Sequence, residues 1–145
     1  MPQTVLVVED EPLTRAALRQ LVEQSGGVPA LATDGGEALS WLASHPLPRL
    51  ILLDLVMPGM GGEEVLAQLG SHPEWSRIPI VVISGTRLTL SSPQVCEVIL
   101  KPFLPEDVRR AIRAHGIDPV SEEAPHSHPC RTARGAAPER RGRRR

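Results

Sequence analysis

Short aliphatic runs alternate along the chain with segments whose apolar residues recur at helical spacing. Most of the runs are β-branched and lack polar alternation, which is typical of strands that are buried on both faces of a parallel sheet. We predict five strands, at residues 4–8, 29–32, 49–53, 80–83 and 97–100. The second of these strands has the weakest pattern.

The segments between the runs predict four helices. Pro12 suits the first turn of a helix, where its missing N–H costs nothing, and the pair Gly26-Gly27 ends the same helix. Further helices are predicted at residues 37–43, 63–69 and 106–115, the last of them closed by Gly116. Strands that alternate with helices in this way predict a doubly wound α/β fold around a parallel sheet.

The composition changes sharply after residue 118. Residues 1–118 carry a formal charge of −5, whereas residues 119–145 carry +4 and contain seven Arg. The second segment also loses aliphatic residues and gains Pro, Ser, His and Gly. We therefore predict one domain over residues 1–118 and a disordered Arg-rich tail over residues 119–145.

Nothing in the sequence predicts export or a membrane span. The N-terminus has no basic segment before its apolar run, and no apolar stretch approaches the ~20 residues that a spanning helix needs. The two cysteines, Cys96 and Cys130, have no paired spacing, as expected of a reduced protein. We expect a cytoplasmic protein without a membrane partner.

Polar residues that can carry chemistry follow four of the predicted strands. Glu9 and Asp10 follow the first strand, and the third, fourth and fifth strands are followed by Asp54, Ser84 and Lys101. Because ligands of open α/β sheets bind beyond the carboxyl ends of the strands, we expect these side chains to converge. Clustered carboxylates favour Mg²⁺, and a carboxylate such as Asp54 can accept a phosphoryl group as an acyl phosphate. Lys101 would then hold phosphoryl oxygens, and Ser84 would hydrogen-bond the attached group.

Each of these residues taken alone also has a structural explanation. An acid at a strand end is usually a helix cap or a solvated loop residue, and Ser84-Gly85 is a common turn signal. Lys101 differs, because it is the only lysine among 16 basic residues and stands where a compact phosphate-binding ammonium is wanted. The combination is much more specific than its parts.

Four motifs, VLVVEDEP, LILLDLVMPGMGG, VVISG and LKPF, resemble the receiver domain of two-component response regulators. The resemblance covers roughly residues 3–116. It implies a flavodoxin-like five-stranded parallel sheet with strand order 2-1-3-4-5 and helices on both faces. It also implies a signalling protein rather than an enzyme, with a histidine kinase or phosphotransfer protein as phosphodonor and a downstream protein as partner.

The resemblance further implies a magnesium site made of Glu9, Asp10, Asp54 and the backbone carbonyl of Val56. Asp54 would also be the phosphoryl acceptor. Lys101 would be the family's phosphate-binding lysine, so that the candidate site is a metal site and a phosphorylation site at once.

Elsewhere the match with the family is uneven. Ser84 takes the hydroxyl position, and Pro58 and Gly62 match the loop and helix start after the phosphorylation site. Val98, however, stands where the family usually has Tyr or Phe, three residues before the lysine. Residues 86–100 also leave little room for a full helix between the fourth and fifth strands, so we expect that helix to be shortened or irregular. Phosphorylation chemistry is expected to be intact, whereas the usual output switch is in question.

The tail ends in RRGRRR, which attracts phosphates or acidic surfaces by charge alone. It has no aromatic residue between its arginines and no folded recognition helix, so we do not expect it to bind nucleic acid. His126, His128 and Cys130 lack a folded scaffold and a fourth ligand, so no zinc site is expected there.

Three functional hypotheses follow. The first is a stand-alone receiver that is phosphorylated on Asp54 and acts by partner docking or phosphorelay, since we predict no output domain after residue 118. The second, a metal-dependent phosphatase with an aspartyl nucleophile, is disfavoured because such enzymes usually carry a second Asp where this chain has Val56. The third is a receiver-fold binding module that signals independently of phosphorylation. Val98 and the short segment before Lys101 favour this third hypothesis, and the complete set of acids, hydroxyl and lysine opposes it.

Overall fold

The computed structural model of the chain describes residues 3–56, 61–86 and 92–117. Strands and helices alternate along the chain, as the hydrophobic pattern predicts. The strands are β1 (Thr4–Val8), β2 (Val28–Ala32), β3 (Leu50–Asp54), β4 (Ile80–Ser84) and β5 (Val95–Leu100). The helices are α1 (Pro12–Gln24), α2 (Gly35–Ser44), α3 (Gly62–Ser71) and α4 (Pro105–His115), and a short 3₁₀ turn spans Trp75–Arg77.

The five strands form one parallel sheet in the order β2-β1-β3-β4-β5. The predicted doubly wound fold and its strand order are therefore confirmed. β3 lies at the centre of the sheet, and every one of its residues is buried. β2 is an edge strand and is largely exposed, which explains both its weak hydrophobic pattern and its tolerance of Pro29.

Two hydrophobic clusters cover the two faces of the sheet, because successive side chains of a strand point to opposite faces. The first cluster packs beneath α2 and α3 and takes from the sheet the buried residues Leu6, Val8, Ala32, Ile51, Leu53, Ile80 and Val82. The second packs beneath α1 and α4 and takes from the sheet the buried residues Val5, Val7, Leu50, Leu52, Val81, Ile83 and Ile99. β1, β3 and β4 thus contribute to both clusters, which is why their sequences are aliphatic apart from Thr4, Asp54 and Ser84 at the strand ends.

Two glycines meet specific demands of the backbone. Gly26 has a φ of 95° in the turn from α1 to β2, a conformation that side chains with a Cβ rarely adopt. Gly62 begins α3, and a Cβ added there would lie 2.5 Å from Leu55 Cα. α3 therefore starts at Gly62, the helix start that the sequence resemblance implied, and lies in direct contact with the segment that follows Asp54.

The connection between β4 and β5 has no helical residue in its described part. β4 ends at Ser84 and β5 begins at Val95, so ten residues separate the two strands. Of these, residues 85–86 and 92–94 are described, and they form bends and turns. This part of the chain agrees with the predicted shortening of the helix at this position.

Several sequence predictions fall on residues that the structure does not describe. Pro58 lies outside the described residues, as does the whole segment predicted to be a tail, including His126, His128 and Cys130. The domain boundary at residue 118 therefore stays a prediction. Among the described helices, none is long and apolar enough to cross a membrane.

Candidate functional site

The carboxyl ends of β1, β3 and β5 bring Glu9, Asp10, Asp54 and Lys101 together. Each of the three acids offers an oxygen, and these oxygens all lie within 4.8 Å of one another. Lys101 Nζ lies 3.3 Å from Glu9 Oε1 and 3.7 Å from Asp54 Oδ2. The sequence predicted that these four side chains would converge, and the structure places them in one pocket.

The pocket is acidic, and two of its three carboxylates are buried. The exposed fraction is 0% for Glu9 and 5% for Asp54. Burial raises the pKa of Glu9, and the charge of Asp54 raises it further, whereas the N–H of Glu11 and the ammonium of Lys101 lower it. Three carboxylates and one ammonium leave two negative charges unmatched among these side chains. This donor set suits a hard divalent cation such as Mg²⁺.

The turn from β1 to α1 is held by its own polar groups. The backbone N–H of Glu11 donates to Glu9 Oε2 at 3.1 Å, so the buried carboxylate is fixed from the turn side. Glu11 itself caps α1, because its Oε1 accepts from the backbone N–H and the hydroxyl of Thr14, each at 2.8 Å. These hydrogen bonds lower the pKa of Glu11. Glu11 therefore serves the helix start, although it follows the acidic pair directly in the sequence.

A further residue of this turn did not stand out in the sequence. Arg15 lies in the first turn of α1, and its Nη1 donates to the backbone carbonyls of Glu9 at 2.9 Å and Asp10 at 3.2 Å. A basic side chain near a helix N-terminus opposes the helix dipole, and this is the signal that could have identified it.

Asp54 ends the central strand of the sheet and faces the pocket. Its Oδ1 accepts from the backbone N–H of Val56 at 3.2 Å, so the chain turns back over the carboxylate immediately after β3. Val56 itself is 76% exposed. The metal-ligand role of the Val56 carbonyl stays a prediction.

Ser84 ends β4, one residue beyond Ile83, which is paired with Asp54 across the sheet. Its hydroxyl is buried and engaged with Thr86, accepting from the backbone N–H at 3.1 Å and donating to the carbonyl at 2.8 Å. The carbonyl of Ser84 also accepts from the N–H of Lys101 at 2.8 Å. Ser84 thus lies beside the pocket with its proton directed to Thr86, and its contact with a phosphoryl group stays a prediction.

The end of β5 places Lys101 and carries the unusual Val98. Lys101 precedes a cis peptide bond to Pro102, and Phe103 packs against the hydrophobic cluster beneath α1 and α4. Val98 pairs with Val82 in the sheet and packs, half-buried, against the cluster beneath α2 and α3. Val98, noted in the sequence as a departure from the Tyr or Phe usual at this position, therefore places an aliphatic side chain against that cluster.

Comparison with known proteins gives the same picture. The chain matches the model of the response regulator receiver domain over residues 5–113. It is 30% identical over 118 residues to the response regulator Rre1 of Synechocystis sp., which covers 77% of this chain and 51% of that protein. It is 34% identical over 113 residues to the sensor histidine kinase TmoS of Ectopseudomonas mendocina, which covers 74% of this chain and 11% of that protein.

Among solved structures, the response regulator TrrA of Thermotoga maritima superposes with a TM-score of 0.67 at 28% identity, covering 76% of this chain and 96% of that chain. The chain spans about half the length of Rre1 and a small part of TmoS. The family match, the strand order and the acidic pocket agree with one another. The chain belongs to the response regulator receiver domain family, whose members are signalling modules.

Proposed function

We propose that the chain accepts a phosphoryl group on Asp54 in a reaction that depends on Mg²⁺. The observation that carries this proposal is the setting of Asp54 at the end of the central strand. Its buried carboxylate lies 3.7 Å from Lys101 Nζ and shares a pocket with the carboxylates of Glu9 and Asp10. A nucleophile, a cation-binding acidic pair and a fixed ammonium are thus available in one place.

Each residue of the pocket has a separate role in the proposed phosphoryl transfer. A carboxylate oxygen of Asp54 attacks the phosphorus of the donor, and the bond from phosphorus to the donor's leaving atom breaks with its electron pair remaining on the donor. Lys101 stabilises the negative charge of the transferred oxygens. Glu9, Asp10, Asp54 and the Val56 carbonyl would hold Mg²⁺, which neutralises charge on the phosphoryl oxygens when it is bound. The product is an acyl phosphate on Asp54.

The hydroxyl of Ser84 would respond to the new group. To donate a hydrogen bond to the attached phosphoryl, it must release the carbonyl of Thr86, which it now contacts at 2.8 Å. This exchange would change the loop that leaves β4.

We propose that a histidine kinase or phosphotransfer protein in the cytoplasm is the donor, and that the signal passes on by partner docking or phosphorelay. The solved structure of the similar TrrA is a complex with Mg²⁺ and BeF, which supports Mg²⁺ as the cation of this chain.

A second function, signalling that does not depend on phosphorylation, is favoured by two observations. Val98 provides no ring to turn inward, and no described residue between β4 and β5 is helical. Both features weaken the usual output switch that the resemblance implies. This alternative predicts that an output partner binds equally well with and without the phosphoryl group.

The experiment that tests the first proposal is incubation with acetyl phosphate and Mg²⁺, followed by measurement of intact mass. We expect the addition of one phosphoryl group, and we expect Asp54→Asn or removal of Mg²⁺ to abolish it. Addition at the wild-type level in Asp54→Asn would exclude Asp54 as the acceptor.

A further inference from the structure

The turn from β1 to α1 carries the acidic pair, and one side chain holds two of its peptide groups. Arg15 Nη1 donates to the carbonyl of Glu9 at 2.9 Å and to the carbonyl of Asp10 at 3.2 Å. Both hydrogen bonds end on backbone carbonyls, and neither ends on a carboxylate. Its guanidinium therefore constrains the backbone from which the two acidic side chains extend, and it does not pair with the carboxylates themselves.

The helix does not explain why an arginine stands at this position. The N-terminus of a helix carries a partial positive charge, so a cation in the first turn is unfavourable there. α1 has no acidic residue in its first turn to offset that cost, and its cap is supplied by Glu11. The carbonyls of Glu9 and Asp10 accept hydrogen bonds from Arg15 and so offset the unfavourable interaction of its charge with the helix dipole. The turn therefore explains why an arginine stands at this position.

The other contacts of the turn act at its ends. The N–H of Glu9 donates to the carbonyl of Ala32 at 3.0 Å, and this bond fixes the exit from β1. The N–H of Arg15 donates to the carbonyl of Glu11 at 2.8 Å, and this bond fixes the start of α1. The side chain of Arg15 reaches back from the helix to the peptides between these two anchors.

We propose that Arg15 is a positioning residue that holds Glu9 and Asp10 in the arrangement that binds the divalent cation. This inference rests on the proposed function, because it concerns the same Mg²⁺ site. Arg15 acts through the backbone of the acidic pair, as residues that support metal ligands do in other metal sites.

Arg15 could change the affinity for Mg²⁺ in two ways, by its charge or by positioning the acids, and these two effects have opposite signs. If Arg15 acted only by its charge, removing it would strengthen the binding of Mg²⁺, because it would remove a repulsion between cations. If it positions the acids, removing it should weaken the binding by about tenfold, as expected when a residue supporting metal ligands is lost. The direction of the change therefore separates the two effects.

The test is the affinity of the unphosphorylated full chain for Mg²⁺, measured by titration calorimetry on wild type, Arg15→Gln, Arg15→Lys and Arg19→Gln. Arg19 is a matched control, because it lies on the same helix and pairs with the exposed Glu23 at 3.3 Å. We expect an affinity about tenfold weaker in Arg15→Gln. We expect an intermediate value in Arg15→Lys, which keeps the charge but not the guanidinium geometry, and no change in Arg19→Gln. Thermal unfolding without Mg²⁺ verifies that each variant is folded.

The outcomes separate this inference from the function on which it rests. Arg15→Gln that binds Mg²⁺ as tightly as wild type, or more tightly, overturns the positioning role and leaves the proposed function standing. A folded wild type that binds no Mg²⁺ overturns the proposed function and this inference with it. If Arg15→Gln does not fold, an affinity of Arg15→Lys equal to that of wild type overturns the positioning role.

Discussion

Lys101 reaches from the end of β5 across β4 and places its ammonium 3.7 Å from Asp54 Oδ2 on β3. The same ammonium lies 3.3 Å from Glu9 Oε1 on β1. One cation thus joins the carboxyl ends of three strands and compensates part of the charge of two buried acids. Since Lys101 is the only lysine of the chain, its place in the pocket accounts for an exception to the use of arginine elsewhere.

Replacement of Lys101 tests whether its ammonium acts in phosphoryl transfer. We expect Lys101→Met to slow phosphorylation by acetyl phosphate about 100-fold at saturating Mg²⁺, because a fixed cation no longer stabilises the transferred oxygens. The rate is measured as phosphorylated mass against time. Lys101→Arg keeps the charge with a different geometry, so its phosphorylation rate should lie between those of wild type and Lys101→Met. Phosphorylation of Lys101→Met at the wild-type rate would contradict this role.

Gln94 should be essential for stability. Its side chain is 3% exposed, and its Nε2 donates to the carbonyls of Trp75 and Ile78, each at 2.9 Å. Gln94→Leu leaves both carbonyls without this donor, and we expect a loss of about 3 kcal/mol in the free energy of unfolding. Urea denaturation measures the change. Gln68→Leu, an exposed position on α3, should change stability by no more than about 0.5 kcal/mol, and equal losses in the two variants would refute the argument.

The first residue of α3, Gly62, lies so close to Leu55 that we predict a steric cost for any side chain at this position. A Cβ there would lie 2.5 Å from both Leu55 Cα and Leu55 Cδ2, so Gly62→Ala should lower the free energy of unfolding by about 2 kcal/mol. Gly70→Ala in the same helix is the control, because the nearest contact of its Cβ would be an ordinary 3.8 Å. That change should be neutral or slightly stabilising, since alanine favours the helix. A tolerated Gly62→Ala would show that the two segments can separate without cost.

The contact between Glu97 and His115 predicts a pH dependence of stability. Glu97 Oε1 lies 3.2 Å from His115 Nε2, and this hydrogen bond, together with the charge of Arg110, lowers the pKa of Glu97. A lowered pKa in the folded state stabilises the protein above the ordinary value of 4.5, and the stabilisation is lost as the pH falls through the lowered pKa. We expect Glu97→Gln to cost about 1 kcal/mol near neutral pH, allowing for partial solvent screening.

The measurement is urea denaturation of wild type and Glu97→Gln at several pH values, from about pH 7 to below the ordinary pKa of glutamate. The difference between the two proteins should shrink as the pH falls. Glu64→Gln, at an exposed position on α3, serves as the control. A difference for Glu97→Gln that stays constant across this range would rule out the proposed linkage.

The fold could be predicted from the sequence because the central strands are buried on both faces. β1, β3 and β4 must then be aliphatic except at one terminal residue each, and aliphatic runs separated by helical patterns are compatible with few folds. The site could be predicted for a related reason. Parallel strands end at the same edge of the sheet, so residues that follow separate strands, such as Asp54 and Lys101, meet there.

The features that could not be predicted depend on contacts between distant segments. Gln94 resembles an ordinary loop residue in the sequence, and only the fold brings it to the carbonyls of the 3₁₀ turn. The pairing of Glu97 with His115 likewise requires α4 to pack against β5. The carbonyls that Arg15 contacts are backbone groups, which every residue has and which no sequence pattern marks.

The most direct test of the central claim is the intact mass of the full chain after incubation with acetyl phosphate, with and without Mg²⁺. The matched variants are Asp54→Asn and Asp107→Asn, the second at a half-exposed position in the first turn of α4. We predict one added phosphoryl group in wild type and Asp107→Asn with Mg²⁺, and none in Asp54→Asn or without Mg²⁺. A folded wild type that binds Mg²⁺ but gains no phosphoryl group, or a gain that persists in Asp54→Asn, would contradict the account.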